Sequence, residues 1–141
     1  MFMRNITLFL FWWFLFFSIS TSSADNEINL DIDENGEYDA LSDGLLIIRY
    51  LFGLTGDDLV SGILGSNSLV VEPIEIKSKL DSMRANLDVD GNGSVDALTD
   101  GLLILRYLFG LRGDSLVTQV IGTGAARNSS ESIEDYVKSI M

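Results

Sequence analysis

The chain contains two copies of one segment, and this duplication limits the folds that it can adopt. The segments that start at Leu30 and Leu87 share 23 of 31 aligned residues, at a constant offset of 57 residues. The same offset, carried forward without a gap, also aligns the apolar positions that follow, up to Ile140. In duplicated sequences each copy is one structural unit that packs against its neighbour. We therefore expect two tandem units, residues 27–83 and residues 84–140.

Each unit opens with an acidic loop of the pattern Asp-x-Asp-x-Asn-Gly-x-x-Asp. Calcium takes six to eight oxygen ligands, which a tight loop supplies from alternate positions, with glycine at the sixth. The candidate ligands of the first loop are Asp31, Asp33, Asn35, the carbonyl of Glu37, and Asp39. Those of the second loop are Asp88, Asp90, Asn92, the carbonyl of Ser94, and Asp96. The pattern predicts two calcium ions, because magnesium requires fewer protein oxygens and a stricter octahedral geometry.

The closing position of each loop departs from this template. Position 12 is Ser42 or Thr99, and an aspartate follows as Asp43 or Asp100. We expect the start of the helix to carry one extra residue, so that this aspartate becomes the closing ligand. A negative charge here would also stabilise a helix N-terminus through the helix dipole, and the two roles are compatible. For the loops as a whole, the alternative is a pair of acidic turns that face solvent.

The residues after each loop have helical periodicity. One apolar face of a helix is predicted by the spacing of Leu41, Leu45, Ile48 and Phe52, and by that of Leu98, Leu102, Leu105 and Phe109. Gly53 and Gly110 follow where a left-handed helix end is expected. The arginines of these helices, Arg49 and Arg106, are candidates for contact with a partner or for salt bridges with loop carboxylates.

The rest of each unit is also predicted to be helical. A short helical turn is expected at residues 59–64 and 116–121, with Asp57 and Asp114 as caps. An amphipathic helix closes each unit, at residues 73–83 and 133–140. The prediction is an all-α fold whose two units pack about a pseudo-two-fold axis, with Gly44 and Gly101 at the point of close approach.

The first 24 residues have the three-part layout of a secretory signal peptide. Arg4 precedes an apolar run at residues 6–19, and Ser22 and Ala24 occupy the −3 and −1 positions of a cleavage site before Asp25. The run is shorter than the roughly 20 residues that a spanning helix needs, although an uncleaved anchor is the alternative. We expect cleavage, secretion to the periplasm or the extracellular space, and no membrane span in the domain at residues 25–141.

Composition excludes several functions for this domain. It carries eight basic and 21 acidic residues, a net charge of −13, which argues against nucleic acids and anionic membranes as partners. The chain has no cysteine and no histidine, so disulfides, zinc–thiolate sites and histidine-based catalysis are excluded. We do not expect an enzyme. A glycosidase needs only two carboxylates, but these acids lie where calcium would occupy them.

The loops and the helices that follow them resemble the duplicated calcium-loop segments of type I dockerin domains. The sequences that carry the resemblance are DIDENGEYDALSDGLLIIRYL and DVDGNGSVDALTDGLLILRYL. It implies an EF-hand-like module with two calcium loops, each followed by a helix, that docks onto a cohesin-like or other cell-surface protein. In dockerins that recognition relies largely on loop positions 10 and 11, here Ala40–Leu41 and Ala97–Leu98. The 57-residue spacing and the closing helix depart from a compact dockerin.

The favoured interpretation is a secreted, metal-stabilised calcium-binding module that attaches to a protein or to a surface. The alternative is an extracellular or periplasmic calcium buffer without a protein partner.

Overall fold

The computed structural model describes residues 28–141, and these residues form helices and turns with no β-strand. The all-α prediction is confirmed for this part of the chain. The predicted signal peptide lies outside the described residues. Within residues 28–141, no helix has the length and apolar character needed to cross a membrane.

The same order of elements occurs twice. In the first unit a π-helical turn at Ala40–Gly44 leads into α1 (Leu45–Leu51), which is followed by α2 (Asp57–Val60) and α3 (Pro73–Met83). A 3₁₀ turn at Arg84–Leu87 joins the units. In the second unit a π-helical turn at Ala97–Gly101 leads into α4 (Leu102–Leu108), followed by α5 (Asp114–Val117) and α6 (Ser130–Ser139).

Each acidic loop enters its helix through the π-helical turn. The N–H of Gly44 donates to the carbonyl of Asp39 at 3.0 Å, and the N–H of Gly101 donates to the carbonyl of Asp96 at 3.0 Å. These bonds reach five residues back, whereas an α-helical bond reaches four. The turn therefore accommodates one additional residue, in agreement with the extra residue expected at the start of each helix.

The apolar residues of α1 are buried to different extents. Leu46, Ile47 and Tyr50 are buried, whereas Leu41 and Phe52 are 61% and 57% exposed. In the second unit the matching residues, Leu98 and Phe109, are 64% and 54% exposed. The predicted apolar face is therefore exposed at its two ends, whereas Leu45 packs against the core and Ile48 lies at Gly101. Asp43 is buried as well, and because it lies three residues before Leu46 it is on the same side of the helix.

Helices α1 and α4 contact each other through the two glycines. A β-carbon at Gly44 would lie 2.7 Å from Cδ1 of Leu105, and one at Gly101 would lie 3.2 Å from Cγ1 of Ile48. Leu108 and Leu51 are also near these glycines. The start of each helix thus approaches the later part of the other, so the two helices run in opposite directions. The predicted close packing at both glycines is confirmed.

The closing helices cover the inward faces of α1 and α4. Ile76, Leu80 and Met83 are buried in the first unit, and Ile133, Val137 and Ile140 are buried in the second. One hydrophobic cluster contains these residues together with those of α1 and α4. Helix α3 has the predicted bounds. Helix α6 begins three residues earlier than predicted, because Ser129 and Ser132 form a capping box.

The short helices differ from the prediction. Helices α2 and α5 begin at Asp57 and Asp114 and end after four residues. Their N-cap residues are Gly56 and Gly113, so no side chain caps these helices. The predicted capping role of the aspartates is therefore wrong. They occupy the first helical position, where a negative charge is favoured by the helix dipole.

The arginines of α1 and α4 stabilise these short helices. Nη1 of Arg49 lies 3.0–3.4 Å from the carbonyls of Asp58, Leu59 and Ser61 and donates to them. Arg106 makes the same contacts at the end of α5. A cation at carbonyls that end a helix is favourable. Of the two candidate roles of these arginines, the salt bridges with loop carboxylates do not occur among the ion pairs of residues 28–141.

Candidate metal centres

The first acidic loop brings three carboxylates together. One oxygen from each of Asp31, Asp33 and Asp43 lies within 4.8 Å of the others, and all three residues are buried. Asp31 and Asp33 come from alternate positions of the loop, and the π-helical turn carries Asp43 to them. We call this set the first aspartate group.

The second loop forms an equivalent set, the second aspartate group. Its members are Asp88, Asp90 and Asp100, whose carboxylate oxygens also lie within 4.8 Å of one another. Asp90 and Asp100 are fully buried, and Asp88 is half-buried. Each loop therefore places three aspartates where they can hold one metal ion.

Asp43 and Asp100 connect the beginning of each loop to its end. In the first loop Asp43 accepts the N–H of Ile32 at 2.6 Å on one oxygen and the N–H of Asp39 at 2.8 Å on the other. In the second loop Asp100 accepts from Val89 at 2.7 Å and from Asp96 at 2.9 Å. Because Asp39 and Asp96 directly precede the helices, each carboxylate also satisfies a donor at the helix start, as in a capping box.

Backbone donors fold the loop around Asp31 and Asp88. Asp31 accepts the N–H groups of Asn35 and Gly36 at 3.0 and 2.9 Å, and Asp88 accepts those of Asn92 and Gly93 at 3.1 and 3.0 Å. Gly36 and Gly93 have φ angles of +85° and +87°. This left-handed conformation suits glycine, so the glycine predicted at position 6 makes the turn that encloses the first carboxylate.

The other predicted ligands lie on the same loops but outside the aspartate groups. Nδ2 of Asn35 donates to Asp33 at 3.3 Å, and Nδ2 of Asn92 donates to Asp90 at 3.3 Å. Glu37 and Ser94, which were predicted to act through their carbonyls, are exposed. Asp39 and Asp96 belong to neither group. Six of the twelve predicted residues thus come together as acids, and the two asparagines contact them.

Asp43 and Asp100 are in an environment that disfavours their negative charge. Burial raises the pKa of Asp43 to about 6; the N–H groups of Asp39 and Ile32 oppose this rise, and the nearby charge of Asp33 adds to it. Burial also raises the pKa of Asp100, and the charge of Asp90 contributes in the same direction. No lysine or arginine within residues 28–141 forms a salt bridge with either group. Buried like charges cost free energy unless a cation or a proton neutralises them.

The connectors between the helices also reach the aspartate groups, which the sequence analysis missed. The hydroxyl of Ser68 donates to Asp33 at 2.6 Å, and the N–H of Gly122 donates to Asp90 at 2.7 Å. A β-carbon at Gly122 would lie 2.2 Å from Nδ2 of Asn92 and 2.6 Å from Oδ2 of Asp90, so a side chain here would displace both groups. The only signal in the sequence was the polar composition of the connectors, which does not specify a contact.

Comparisons of the chain with protein-family models, with curated proteins and with solved structures found no match. The resemblance to dockerins therefore stays a prediction from the residues, and the two aspartate groups are defined by the geometry of this chain.

Proposed function

We propose that the chain is a secreted, dockerin-like calcium-binding module that takes one calcium ion in each acidic loop and attaches to a protein partner. The observation that carries this proposal is the pair of three-aspartate groups. Secretion is proposed from the signal-peptide layout of residues 1–24.

The donor set fits calcium. Both groups offer only oxygen, which hard cations prefer, and the chain contains no histidine or cysteine to favour zinc or copper. Asp31, Asp33 and Asp43 would hold the first ion, and Asp88, Asp90 and Asp100 the second. The side chains of Asn35, Asp39, Asn92 and Asp96 and the carbonyls of Glu37 and Ser94 are available to complete the coordination.

Calcium would stabilise the fold through these contacts. A bound divalent ion supplies the positive charge that the buried carboxylates lack, and it joins residues at both ends of each loop. Because Asp43 and Asp100 stand at the starts of α1 and α4, metal binding would be coupled to the order of these helices. Calcium-binding free energy then becomes folding free energy.

In the proposed arrangement a pseudo-two-fold axis between α1 and α4 relates the two units. Two pairs of corresponding contacts support it: the packing at Gly44 and Gly101, and the hydrogen bonds of Asp43 and Asp100. Such an axis places the outward sides of the two antiparallel helices on the same side of the molecule. In this arrangement four exposed apolar residues would share that side, and we call them the outer face; they are Leu41, Phe52, Leu98 and Phe109.

The outer face favours a docking module over a calcium buffer. A buffer needs only its ion sites, whereas exposed apolar surface of this kind is typical of protein interaction sites. Leu41 and Leu98 also occupy loop position 11, which the dockerin resemblance associates with partner recognition. The proposed partner is a cohesin-like or other cell-surface protein.

Calcium titration of residues 25–141 by calorimetry tests the metal sites. We expect two bound ions, with affinities on the order of 10⁻⁴ to 10⁻³ M for an extracellular module. Asp31→Ala and Asp88→Ala should each remove one ion and lower thermal stability. The matched controls Asp57→Ala and Asp114→Ala change exposed acids at corresponding positions outside the loops, and they should still bind two. Two ions in Asp31→Ala or Asp88→Ala would contradict the assignment.

A further inference from the structure

Two basic side chains contact the acidic loops at backbone carbonyls. In the first unit Nζ of Lys79, on α3, donates to the carbonyl of Asp31 at 2.5 Å and pairs with the carboxylate of Glu34 at 3.1 Å. In the second unit Arg127, just before α6, donates to the carbonyls of Val89 at 2.6 Å and Asp88 at 2.5 Å. Both cations therefore hold the carbonyl of the first residue of an aspartate group and leave its carboxylate available.

The two cations come from non-equivalent positions of the repeat. At the offset of 57 residues, Lys79 corresponds to Tyr136, and Arg127 corresponds to Val70. Tyr136 supports Arg127, since its ring centroid lies 3.9 Å from the guanidinium carbon. The same position of the closing helix thus supplies the cation in the first unit and the aromatic surface under the cation in the second. The two units reach the same loop carbonyl by different routes.

The fourth residue of each loop is matched to its own cation. Gly91 has φ +70°, and a β-carbon there would lie 3.0 Å from the guanidinium of Arg127. The first loop has Glu34 at this position, with φ +56°, and Glu34 forms the ion pair with Lys79. A left-handed conformation is unfavourable for glutamate, so it persists where surrounding contacts hold it. An arginine at the Arg127 position would crowd the β-carbon of Glu34, and this unit has Val70 there.

We infer that Lys79 and Arg127 are positioning residues of the two calcium loops, which they hold in the metal-binding conformation before the ion binds. This inference rests on the proposed calcium function. A nearby cation also repels calcium, and this repulsion opposes the gain in calcium affinity that an ordered loop provides. We expect ordering to dominate, because both side chains are partly exposed, 22% in the case of Lys79, so that solvent screens part of their charge, whereas fixing several loop residues is costly.

The test compares Lys79→Met and Arg127→Met with the wild type by NMR-detected hydrogen exchange in chelator and by calcium titration. Lys79→Met should speed exchange of the Ile32 amide, which is bonded to Asp43, and leave the Val89 amide unchanged. It should weaken calcium binding in the first loop about tenfold, as expected for the loss of one charged hydrogen bond. Arg127→Met should speed exchange of the Val89 amide and weaken calcium binding in the second loop, and it should leave the Ile32 amide unchanged.

Two further variants separate positioning from general destabilisation. Lys79→Arg keeps the charge and the hydrogen-bond donors. In this variant the first loop should have the hydrogen-exchange rate and the calcium affinity of the wild type. Lys77→Met removes a lysine of the same helix that pairs with Asp81, and it should change neither loop. Equal acceleration in both loops, unchanged exchange, or tighter calcium binding in Lys79→Met would overturn the inference. If the wild type binds no calcium, the proposed function fails, and hydrogen exchange in chelator still decides whether the cations hold the loops.

Discussion

Asp43 and Asp100 combine two tasks at single positions. Each carboxylate accepts N–H groups from both ends of its loop, and each stands in an aspartate group. The sequence located these residues because an acid follows position 12 in both copies. It did not separate a helix-start charge from a ligand, because both roles require an acid at the same place. The structure supplies the hydrogen bonds of the first role, and the second remains our proposal.

The raised pKa of Asp43 leads to a prediction about pH. Its value of about 6 exceeds the ordinary 3.8, so folding favours the protonated form. That stabilisation is fully present below pH 3.8 and is lost as the pH rises through about 6. Calcium requires the ionised carboxylate, so its stabilising effect has the opposite dependence. In chelator we expect the melting temperature to increase from pH 7 to pH 5, while the increase caused by calcium becomes smaller.

Circular dichroism melts with and without calcium measure both trends. Asp43→Asn is the control, because it keeps the side-chain shape and removes the titration, while the general charge of the chain still changes with pH. The chelated variant should gain less stability than the wild type on acidification. Equal gains in the two proteins would contradict the assignment of this pH dependence to Asp43.

At the scale of elements, local signals set the helix bounds and tertiary contacts set their orientation. Helix α3 was predicted correctly because Pro73 suits the first turn of a helix and an apolar stripe follows it. The start of α6 was missed, because several serines precede it and only the structure shows that Ser129 and Ser132 form the capping box. The sequence did not separate the fully buried side of α1 from the exposed ends of its predicted apolar face, because both sides are apolar and helical spacing does not specify their neighbours.

The outer face leads to a prediction about docking. Immobilised residues 25–141 should retain a protein from the secreted fraction of the source cells, and Leu41→Ser with Phe52→Ser should reduce this retention severalfold. These side chains are exposed, so stability should change little. Leu69→Ser is the control, because Leu69 is an exposed apolar residue of the connector. Equal losses with the control, or no loss in the double variant, would argue against the outer face as the docking surface.

For the whole molecule, the sequence predicted the grouping of the loop acids better than the contacts that surround them. The loop acids are recognisable because their spacing repeats in two copies. The contacts of Ser68, Lys79, Gly122 and Arg127 join residues 32 to 48 positions apart, and no local pattern specifies them. They also differ between the units, so the duplication could not reveal them.

If each aspartate group binds one calcium ion, a crystal structure of the calcium-loaded chain will show both ions at their ligands. The anomalous difference map should contain two peaks, one within about 2.3–2.6 Å of the carboxylates of Asp31, Asp33 and Asp43, and one at the same range from Asp88, Asp90 and Asp100. Crystals grown with millimolar calcium that show no peak at either group, or peaks only elsewhere on the surface, would contradict the proposed calcium sites.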